Sequence, residues 1–500
     1  MKESFSIPPE VLLVVNGLEK AGFEAYIVGG CVRDLLTGKL PKDWDVTTNA
    51  IPEEIQAIFP DTFYENKFGT VGVENKETAD ETLKVIEVTP YRLESEYSDG
   101  RHPDVVNFSK SLSDDLKRRD FTMNAIAYNP TKGELVDLYD GREAIKDKMI
   151  KAVGDASERF QEDALRILRA VRFSTQHGFA IEHETMTAMQ KHVELLGNIS
   201  AERIRDEFVK MLMADEPIVG VVMAQKLGIL KYIIPELEIG IGVKQNGDHV
   251  YDVWEHNLRT MQHAADKEWP VHIRLSGLLH DIGKPQTREW SKEKNDYTFY
   301  SHDVVGARIT KKICERLKFG NDFTDKVTRL VRYHMFFSDT DEITLSAVRR
   351  LVAKVGADNV WDLIDLRICD RIGMGRPKEE PYRLRKFESM IEEVMRDPIN
   401  VGMLKIDGNR LKEMGDSPSP EPPAGRGKPG PHFGWTLHAL LEEVLDDPAK
   451  NTREYLENRA TELLKLSDEH LRKLGEAGKD AKDDAEGEEI KKIRKDYNVK

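Results

Sequence analysis

With 500 residues the chain is expected to divide into several domains, and its 39% hydrophobic and 33% charged content is that of a cytosolic protein. The N-terminus, MKESFSIPPE, lacks the apolar core of a signal peptide, no apolar run is long enough to span a bilayer, and three scattered cysteines (Cys31, Cys314, Cys369) lack metal-ligand spacing, so a cytoplasmic, reducing setting is expected, with no membrane partner and no zinc knuckle. The net charge of −15 weighs against nucleic acid as a partner, but a local basic groove can coexist with an acidic remainder, and arginines bunch over residues 117–172.

In chain order, residues 11–18 read as a first amphipathic helix, 25–28 as a strand, 32–36 as a helix start and 44–47 as a second strand. Residues 52–59 read as a helix, and 70–74 and 82–89 alternate like paired strands. From about 151 the pattern is almost wholly helical. Turn clusters near 240–247, 373–381 and 416–431 suggest boundaries; the last, DSPSPEPPAGRGKPGP, is too rich in proline and glycine to be helical. From about 475, Lys alternates with Asp and Glu among few apolar residues, the composition of a frayed helix or a disordered tail.

The stretch Tyr26-Ile-Val-Gly-Gly-Cys-Val-Arg-Asp34 carries the strongest signal. An apolar run ends at Gly29-Gly30 and a helical pattern begins at once; backbone N–H groups at such a junction can approach a phosphate closely. Asp43 and Asp45 follow at period two, which would project both carboxylates from one face of an extended segment. Two carboxylates beside a triphosphate are what paired Mg²⁺ ions need for nucleotidyl transfer. A Gly-Gly turn or a D-x-D alone is commonplace; together, in this order, they read as a nucleotidyltransferase active site. Glu87, in Val85-Ile-Glu-Val-Thr89, is a candidate third carboxylate on a strand beside the D-x-D strand.

The segment Asp114-Asp-Leu-Lys-Arg-Arg-Asp-Phe-Thr-Met-Asn-Ala125 precedes an apolar strand, 125–128. It reads either as a helix whose charges match its dipole or as a site where Arg119 contacts a triphosphate and Asn124 holds the sugar or backbone. A helix beginning near Glu162 would put Asp163, Arg166, Arg169 and Arg172 on one polar stripe, beside an apolar stripe of Leu165, Leu168 and Val171. Salt bridging along the helix would explain such a stripe. Three arginines with one nearby carboxylate repel each other, however, unless an anion such as a nucleoside triphosphate lies against them. An Asp–Arg pair can also read a base edge: cytosine and adenine carry an exocyclic amine where uracil and guanine carry a carbonyl, so the pair admits C and A and excludes U and G.

Gly29-Gly30-x-x-Arg33-Asp34, Asp43-x-Asp45, Arg118-Arg119-Asp120 with Asn124-Ala125, Glu162-Asp163-x-x-Arg166-x-x-Arg169 and Ile199-Ser-Ala-Glu-Arg203 together resemble the ordered motif set of class II tRNA nucleotidyltransferases, the CCA-adding enzymes, over roughly residues 20–235. The resemblance implies an α+β protein: a polymerase-β-like nucleotidyltransferase head with a mixed sheet, followed by an all-α neck, an HD-type body and a tail. It implies that Asp43 and Asp45 are catalytic and bind Mg²⁺, and that Gly30, Arg33 and Arg119 hold the triphosphate. Asp163 and Arg166 would read the base, with Arg169 and Arg172 supporting them. Bacterial poly(A) polymerases are similar in the head, but a basic C-terminal extension would favour them, and this tail is mixed and acidic. The loop Arg92-Leu-Glu-Ser-Glu-Tyr-Ser-Asp-Gly-Arg-His-Pro103 is intact where, in the family, a flexible loop accompanies the switch to adenosine, which favours full CCA addition over adding only CC or only A.

Downstream lie His256, the doublet His280-Asp281, His302, His334 and Asp370. Scattered histidines are usually incidental, but a His-Asp that closes an apolar helical run (273–279) and precedes Gly-Lys-Pro is rarer. Imidazoles with carboxylates suit a borderline divalent metal of the Mn²⁺, Ni²⁺ or Fe²⁺ type. The order His, His-Asp, His, His, Asp resembles the HD phosphohydrolase superfamily, which implies a phosphatase or phosphodiesterase. Leu404-Lys-Ile-Asp-Gly-Asn-Arg-Leu and Pro429-Gly-Pro-His-Phe-Gly-Trp, with a helix from Thr436, resemble tail segments of the CCA-adding enzymes.

The expected organisation is thus a head over 1–150, a neck with base-reading and RNA-binding segments over 151–240, an HD domain over 241–385, a tRNA-binding helical tail over 386–475 and a charged segment over 476–500. The expected reaction is template-independent addition of C, C and A to the tRNA 3′ end from CTP and ATP, with pyrophosphate released and an additional HD-type hydrolase activity. No DNA partner is expected. The rival reading is an HD phosphohydrolase whose head only binds nucleotide or RNA.

Overall fold

The computed structural model describes residues 4–64, 69–93, 107–247, 250–336, 343–415 and 430–475. Most of the expected 92–103 loop, the Pro/Gly-rich stretch up to 429 and the charged segment from 476 lie outside the described residues. Two compact units emerge: residues 1–238 with 316–318, and residues 239–315 with 319–500. No described helix is long and apolar enough to cross a membrane.

The first unit is built on strands β1 (Ala25–Val28), β2 (Asp45–Thr48), β3 (Thr62–Tyr64), β4 (Val71–Glu74), β5 (Val85–Pro90), β6 (Arg92–Leu93), β7 (Asn107–Phe108), β8 (Ile126–Asn129) and β9 (Glu134–Asp137). Seven form one mixed sheet in the order β3-β4-β5-β2-β1-β8-β9, while β6 and β7 pair separately. Its pairs are antiparallel except β2–β5, which run parallel with Asp45 opposite Glu87. Helix Pro9–Lys20 buries Val11, Val14, Val15 and Leu18, the spacing of one apolar face, and stops at Ala21-Gly22, where φ of Gly22 is +90°.

Several boundaries differ from the sequence expectation for local reasons. Strand β2 begins only at Asp45, and Asp43 sits in the bend before it, so the two carboxylates do not share an extended segment. The expected strand over 82–89 opens instead with a 3₁₀ turn, Glu81–Leu83, because the Asp80 carboxylate accepts from the Thr82 N–H at 2.9 Å. Nor is there a single helix from Glu162. Helix Ala156–Glu162 ends, Asp163 turns extended (φ −146°, ψ 100°), and its carboxylate accepts from the Leu165 N–H at 3.1 Å to start helix Leu165–His177. An aspartate offers the backbone this alternative partner, which is why it punctuates helices.

The second unit is mainly helical. Helices Val253–Asp266, Val271–Leu279 and Val360–Gly373 pack together, and Asn321–Tyr333, Leu345–Val355 and Tyr382–Val394 share a core through Leu330, Val348, Val352 and Phe387. A further core joins Pro431–Asp446 to Arg453–Leu463 through Leu440, Val444, Leu456 and Ala460. The former helix begins at Pro431, ahead of the expected Thr436, since proline suits a first turn that has no N–H bonds to make. A short hairpin, Glu289–Ser291 with Asp296–Thr298, breaks the expected all-helical run; its three-residue strands are too short to carry a readable period.

Candidate active sites

In the head, the β1–helix junction places Gly29 at φ +84° and ψ −134°, a region open to glycine alone. A Cβ there would stand 3.0 Å from Arg119 Nη1 and 3.7 Å from Asp45 Oδ2, so a guanidinium and a carboxylate close over this bare backbone. Asp43, Asp45 and Glu87 line one cavity of about 400 Å³, together with Lys42, Trp44, Phe63 and Thr82. The parallel register puts Asp45 and Glu87 side by side on neighbouring strands, and the alternation of β5, which buries Ile86 and Val88, turns Glu87 to the opposite face. Three hard oxygen donors on one wall suit Mg²⁺.

The basic residues around this junction are held by partners both near and far in sequence. Arg33 donates from Nη1 to Asn124 Oδ1 at 2.8 Å and from Nε to Asp34 Oδ1 at 3.0 Å. Asp115, fully buried, takes Arg119 Nη2 at 2.9 Å and Arg118 Nε at 3.0 Å. Burial raises the Asp115 carboxyl, and the charges and hydrogen bonds of Arg118 and Arg119 more than reverse this, leaving it lowered.

The arginines of the neck find their anions within the protein. Arg166 donates to Glu162 Oε2 at 2.7 Å and to the Arg118 carbonyl at 2.9 Å. Arg169 Nε donates to Asp120 Oδ2 at 2.8 Å, and Arg172 Nε to Glu207 Oε2 at 2.5 Å, with Arg169 Nη1 also 3.6 Å from Glu207. Arg33, Arg169 and Arg172 lie 5.6, 5.3 and 3.8 Å from the Phe173 ring centroid. Their mutual repulsion, read from sequence as a call for an external anion, is thus met by Asp120 and Glu207. Asp163 pairs in bidentate fashion with Arg203 (2.7 and 3.2 Å) rather than with Arg166. Asp115, Asp120 and Glu207 had no role in the sequence reading. Asp115 carried a local signal, three and four residues before its arginines, and Asp120 stood in the Arg118-Arg119-Asp120 motif without an assigned partner.

In the second unit, the histidines and aspartates read from sequence converge. Two sets of three, His256, His280 and Asp370, and Asp281, His302 and His334, each gather ligand atoms within 4.8 Å. Asp281 links them: its Oδ2 lies 3.1 Å from His256 Nε2 and 3.3 Å from His280 Nε2, its Oδ1 3.2 Å from His302 Nε2 and 3.5 Å from His334 Nε2. Three rings are oriented from behind, with Nδ1 against the carbonyl three residues earlier: His280 on Gly277 (2.9 Å), His302 on Phe299 (2.6 Å) and His334 on Val331 (2.7 Å). That bond leaves Nε2 facing the cluster. Gly283 permits the approach, since a Cβ there would meet the His302 carbonyl at 2.3 Å.

Lys284 Nζ lies 2.6 Å from Asp281 Oδ2, and Arg367 Nη1 2.6 Å from Asp370 Oδ2. Burial lowers the His280 imidazolium's pKa, but the Asp281 charge and hydrogen bond, then Asp370, lift it to about 10. Burial raises Asp281 and Asp370, and neighbouring cations and imidazole hydrogen bonds bring both well below the usual range. Two buried carboxylates demanding positive charge among imidazoles form a donor set suited to a borderline divalent cation. A cavity of about 300 Å³ opens onto Asp281, His302, His334 and Asp370 and is also lined by Lys284, Lys294, Arg367 and Arg376.

Three segments of the chain match known families. Residues 25–151 match the poly A polymerase head domain family, 178–239 the family described as the probable RNA and SrmB-binding site of polymerase A, and 253–374 the HD domain family. A CCA-adding enzyme of Lactobacillus delbrueckii subsp. bulgaricus is 47% identical over 208 residues, 41% of this chain; the chain spans about half (51%) of that relative's length. A CCA-adding enzyme of Leuconostoc mesenteroides is 44% identical over 460 residues, covering 90% of this chain and 95% of the relative. The crystal structure of the Bacillus stearothermophilus CCA-adding enzyme in complex with CTP superposes with a TM-score of 0.63 at 26% identity, over 91% of this chain and 98% of that one.

Proposed function

The chain belongs to the CCA-adding enzyme family, and we infer that it adds C, C and A to the 3′ end of tRNA without a nucleic-acid template, consuming CTP and ATP and releasing pyrophosphate. The observation that carries the reading is the cavity gathering Asp43, Asp45 and Glu87 beside Gly29 and Arg119. Divalent metal held by these carboxylates would supply charge stabilisation to the attacking 3′-oxygen and the leaving pyrophosphate. Gly29 and Gly30 leave room for the triphosphate, and Arg119, steadied by Asp115, and Arg33, steadied by Asn124, neutralise it. Asp163 and Arg166 are assigned to reading the amine edge shared by cytosine and adenine, with Arg203 fixing the carboxylate and Glu162 the guanidinium. Arg169 and Arg172 support that helix from behind.

The test is a tRNA transcript ending at its discriminator base, incubated with Mg²⁺ and each nucleotide singly and mixed, the products sized to one nucleotide. Growth by three residues requiring both CTP and ATP is expected. A long adenosine tract would make the protein a poly(A) polymerase, and two cytidines a CC-adding enzyme. Asp43→Ala is expected to abolish growth while leaving the melting temperature unchanged.

A second activity is assigned to the body: metal-dependent hydrolysis of a phosphoester at His256, His280, Asp281, His302, His334 and Asp370. Its support is the pair of three-ligand sets joined by Asp281. We read it as a centre for two cations of the Mn²⁺, Ni²⁺ or Fe²⁺ type. These would supply Lewis acidity and an activated water, while Lys284 and Arg367 hold the carboxylates in place.

A further inference from the structure

One row of residues crosses the acidic face of the head sheet. Phe63 of β3 stands opposite Gly72 of β4, Gly72 opposite Glu87 of β5, and Glu87 opposite Asp45 of β2. Residues directly opposite one another on paired strands project to the same face. Phe63 therefore belongs to the wall that carries the carboxylates, and it lines the same cavity. On the other side of β2, β1 runs into Gly29, where a Cβ would stand 3.7 Å from Asp45 Oδ2. The order across the face is the Gly29 turn, Asp45, Glu87, Gly72 and the aromatic ring, at about 4.8 Å per strand.

The Phe63 ring leans over β4. A Cβ on Gly72 would meet its Cζ at 2.5 Å and its two Cε atoms at 2.7 and 2.9 Å, so any side chain at that position would displace it. Shielding a strand glycine with an aromatic is ordinary packing. That packing nevertheless leaves the ring 38% exposed in the cavity that holds Asp43, Asp45 and Glu87. Val85, also exposed and two residues before Glu87, adds a second apolar side chain to the same face. Trp44, the other aromatic among the described lining, is buried and has no face to offer. Apolar surface left in water at a site of charged chemistry is accounted for when a flat partner covers it.

In-line transfer puts the attacking oxygen and the departing pyrophosphate on opposite sides of the α-phosphate. With the triphosphate over Gly29 and Arg119, pyrophosphate leaves on the β1 side. The attacking 3′-oxygen then arrives from the β5–β4 side, where the Phe63 ring, laid over Gly72, is the next surface beyond Glu87. We propose that Phe63 stacks against the 3′-terminal base of the tRNA and so holds its 3′-hydroxyl at the acidic wall, an inference that rests on the CCA-adding reading. The acceptor's last base changes as addition proceeds, from the discriminator to C and again to C. A ring without hydrogen-bonding atoms suits that duty, since every base has a π-face and stacking tolerates sequence.

The test compares the full-length protein with Phe63→Ala, Phe63→Tyr and Tyr64→Ala, the last removing a side chain that points to the other face of β3. Single-turnover addition from CTP is followed on a tRNA with an intact 3′-terminal nucleotide and on one whose terminal nucleotide is abasic. In parallel, 2-aminopurine at that terminus reports stacking by its fluorescence with no nucleotide present. Phe63→Ala is expected to slow addition to the intact tRNA about tenfold, as the abasic terminus does in wild type, and to lose nothing further on the abasic tRNA. Phe63→Tyr and Tyr64→Ala should match wild type, equilibrium CTP binding should hold in all, and 2-aminopurine quenching should fall in Phe63→Ala alone. Additive losses on the abasic tRNA, unchanged quenching in Phe63→Ala, or a weakened CTP affinity in its place would overturn the proposal. Failure of the wild type to extend tRNA would instead sink the CCA-adding reading, and the fluorescence would still decide whether Phe63 meets an RNA end.

Discussion

Replacing Asp120 by asparagine probes the joint between the head and its first long neck helix. The carboxylate is buried; it accepts from Arg169 Nε at 2.8 Å, from Asn124 Nδ2 at 3.2 Å and from the Phe121 N–H at 2.8 Å. Burial pushes its pKa up, and the Arg169 charge and hydrogen bond, with smaller help from Asn124 and Arg166, overturn that and bring it from 3.8 to about 2. A carboxyl depressed in the folded state contributes stability above its unfolded pKa and loses it as pH falls through the folded one. The depression corresponds to about 2 kcal/mol at pH 7, roughly half of it gone by pH 3. Asp120→Asn keeps the shape and removes the charge. The variant is therefore expected to be about 2 kcal/mol less stable than wild type at pH 7 and only about 1 kcal/mol less stable at pH 3. Native-state hydrogen exchange read on the amides of Leu165–His177, across that pH range, measures the difference where the contact acts. A gap below about 0.5 kcal/mol at pH 7, the scatter of an uninvolved surface change, or a gap independent of pH, would refute the reasoning.

Other expectations follow from the two sites. Gly29→Ala forces a side chain into a glycine-only conformation, at about 1–3 kcal/mol, and against Arg119. Thermal melts should show that loss, and the KM for CTP should rise; an unchanged KM would separate Gly29 from the triphosphate. Asp281→Ala removes the carboxylate common to both ligand sets. It should cut bound transition metal, measured by elemental analysis after dialysis, and abolish phosphoester hydrolysis while sparing tRNA extension. No extension by the wild type, with hydrolysis as the activity that Asp281→Ala removes, would favour the rival reading in which the HD centre does the main work.

Much of this was legible in the sequence where the signal is local. The glycine pair at the end of an apolar strand, the D-x-D and the His-Asp doublet each depend on neighbours a few residues away. So does the apolar face of the first helix. What escaped the reading depends on long-range pairing or on a side chain competing with the backbone. Asp43 falls in a bend because β2 begins two residues later, at Asp45, where pairing with β5 starts. Asp163 ends one helix and starts another, so Arg166, Arg169 and Arg172 form a stripe without it. Glu207 reaches Arg172 from 35 residues away and Asp120 reaches Arg169 from 49, distances at which no periodicity speaks. Conversely, the six HD-site residues, spread over more than a hundred positions, converge because each sits on or beside a helix of one bundle.

The parallel pairing of β2 with β5 also has a consequence for how the head comes into being. Its other sheet neighbours are antiparallel, and several can form between segments adjacent in sequence, but Asp45 meets Glu87 only after the 41 residues between them have been folded back as a crossover. Loop-closure entropy must be met before that ladder returns anything, which makes it one of the later contacts to mature. A nascent chain that has formed the β1–β2 hairpin would carry both aspartates and still lack the third carboxylate. Assembly of the acidic cluster is therefore tied to completion of the sheet, so a half-folded head lacks its full acidic wall.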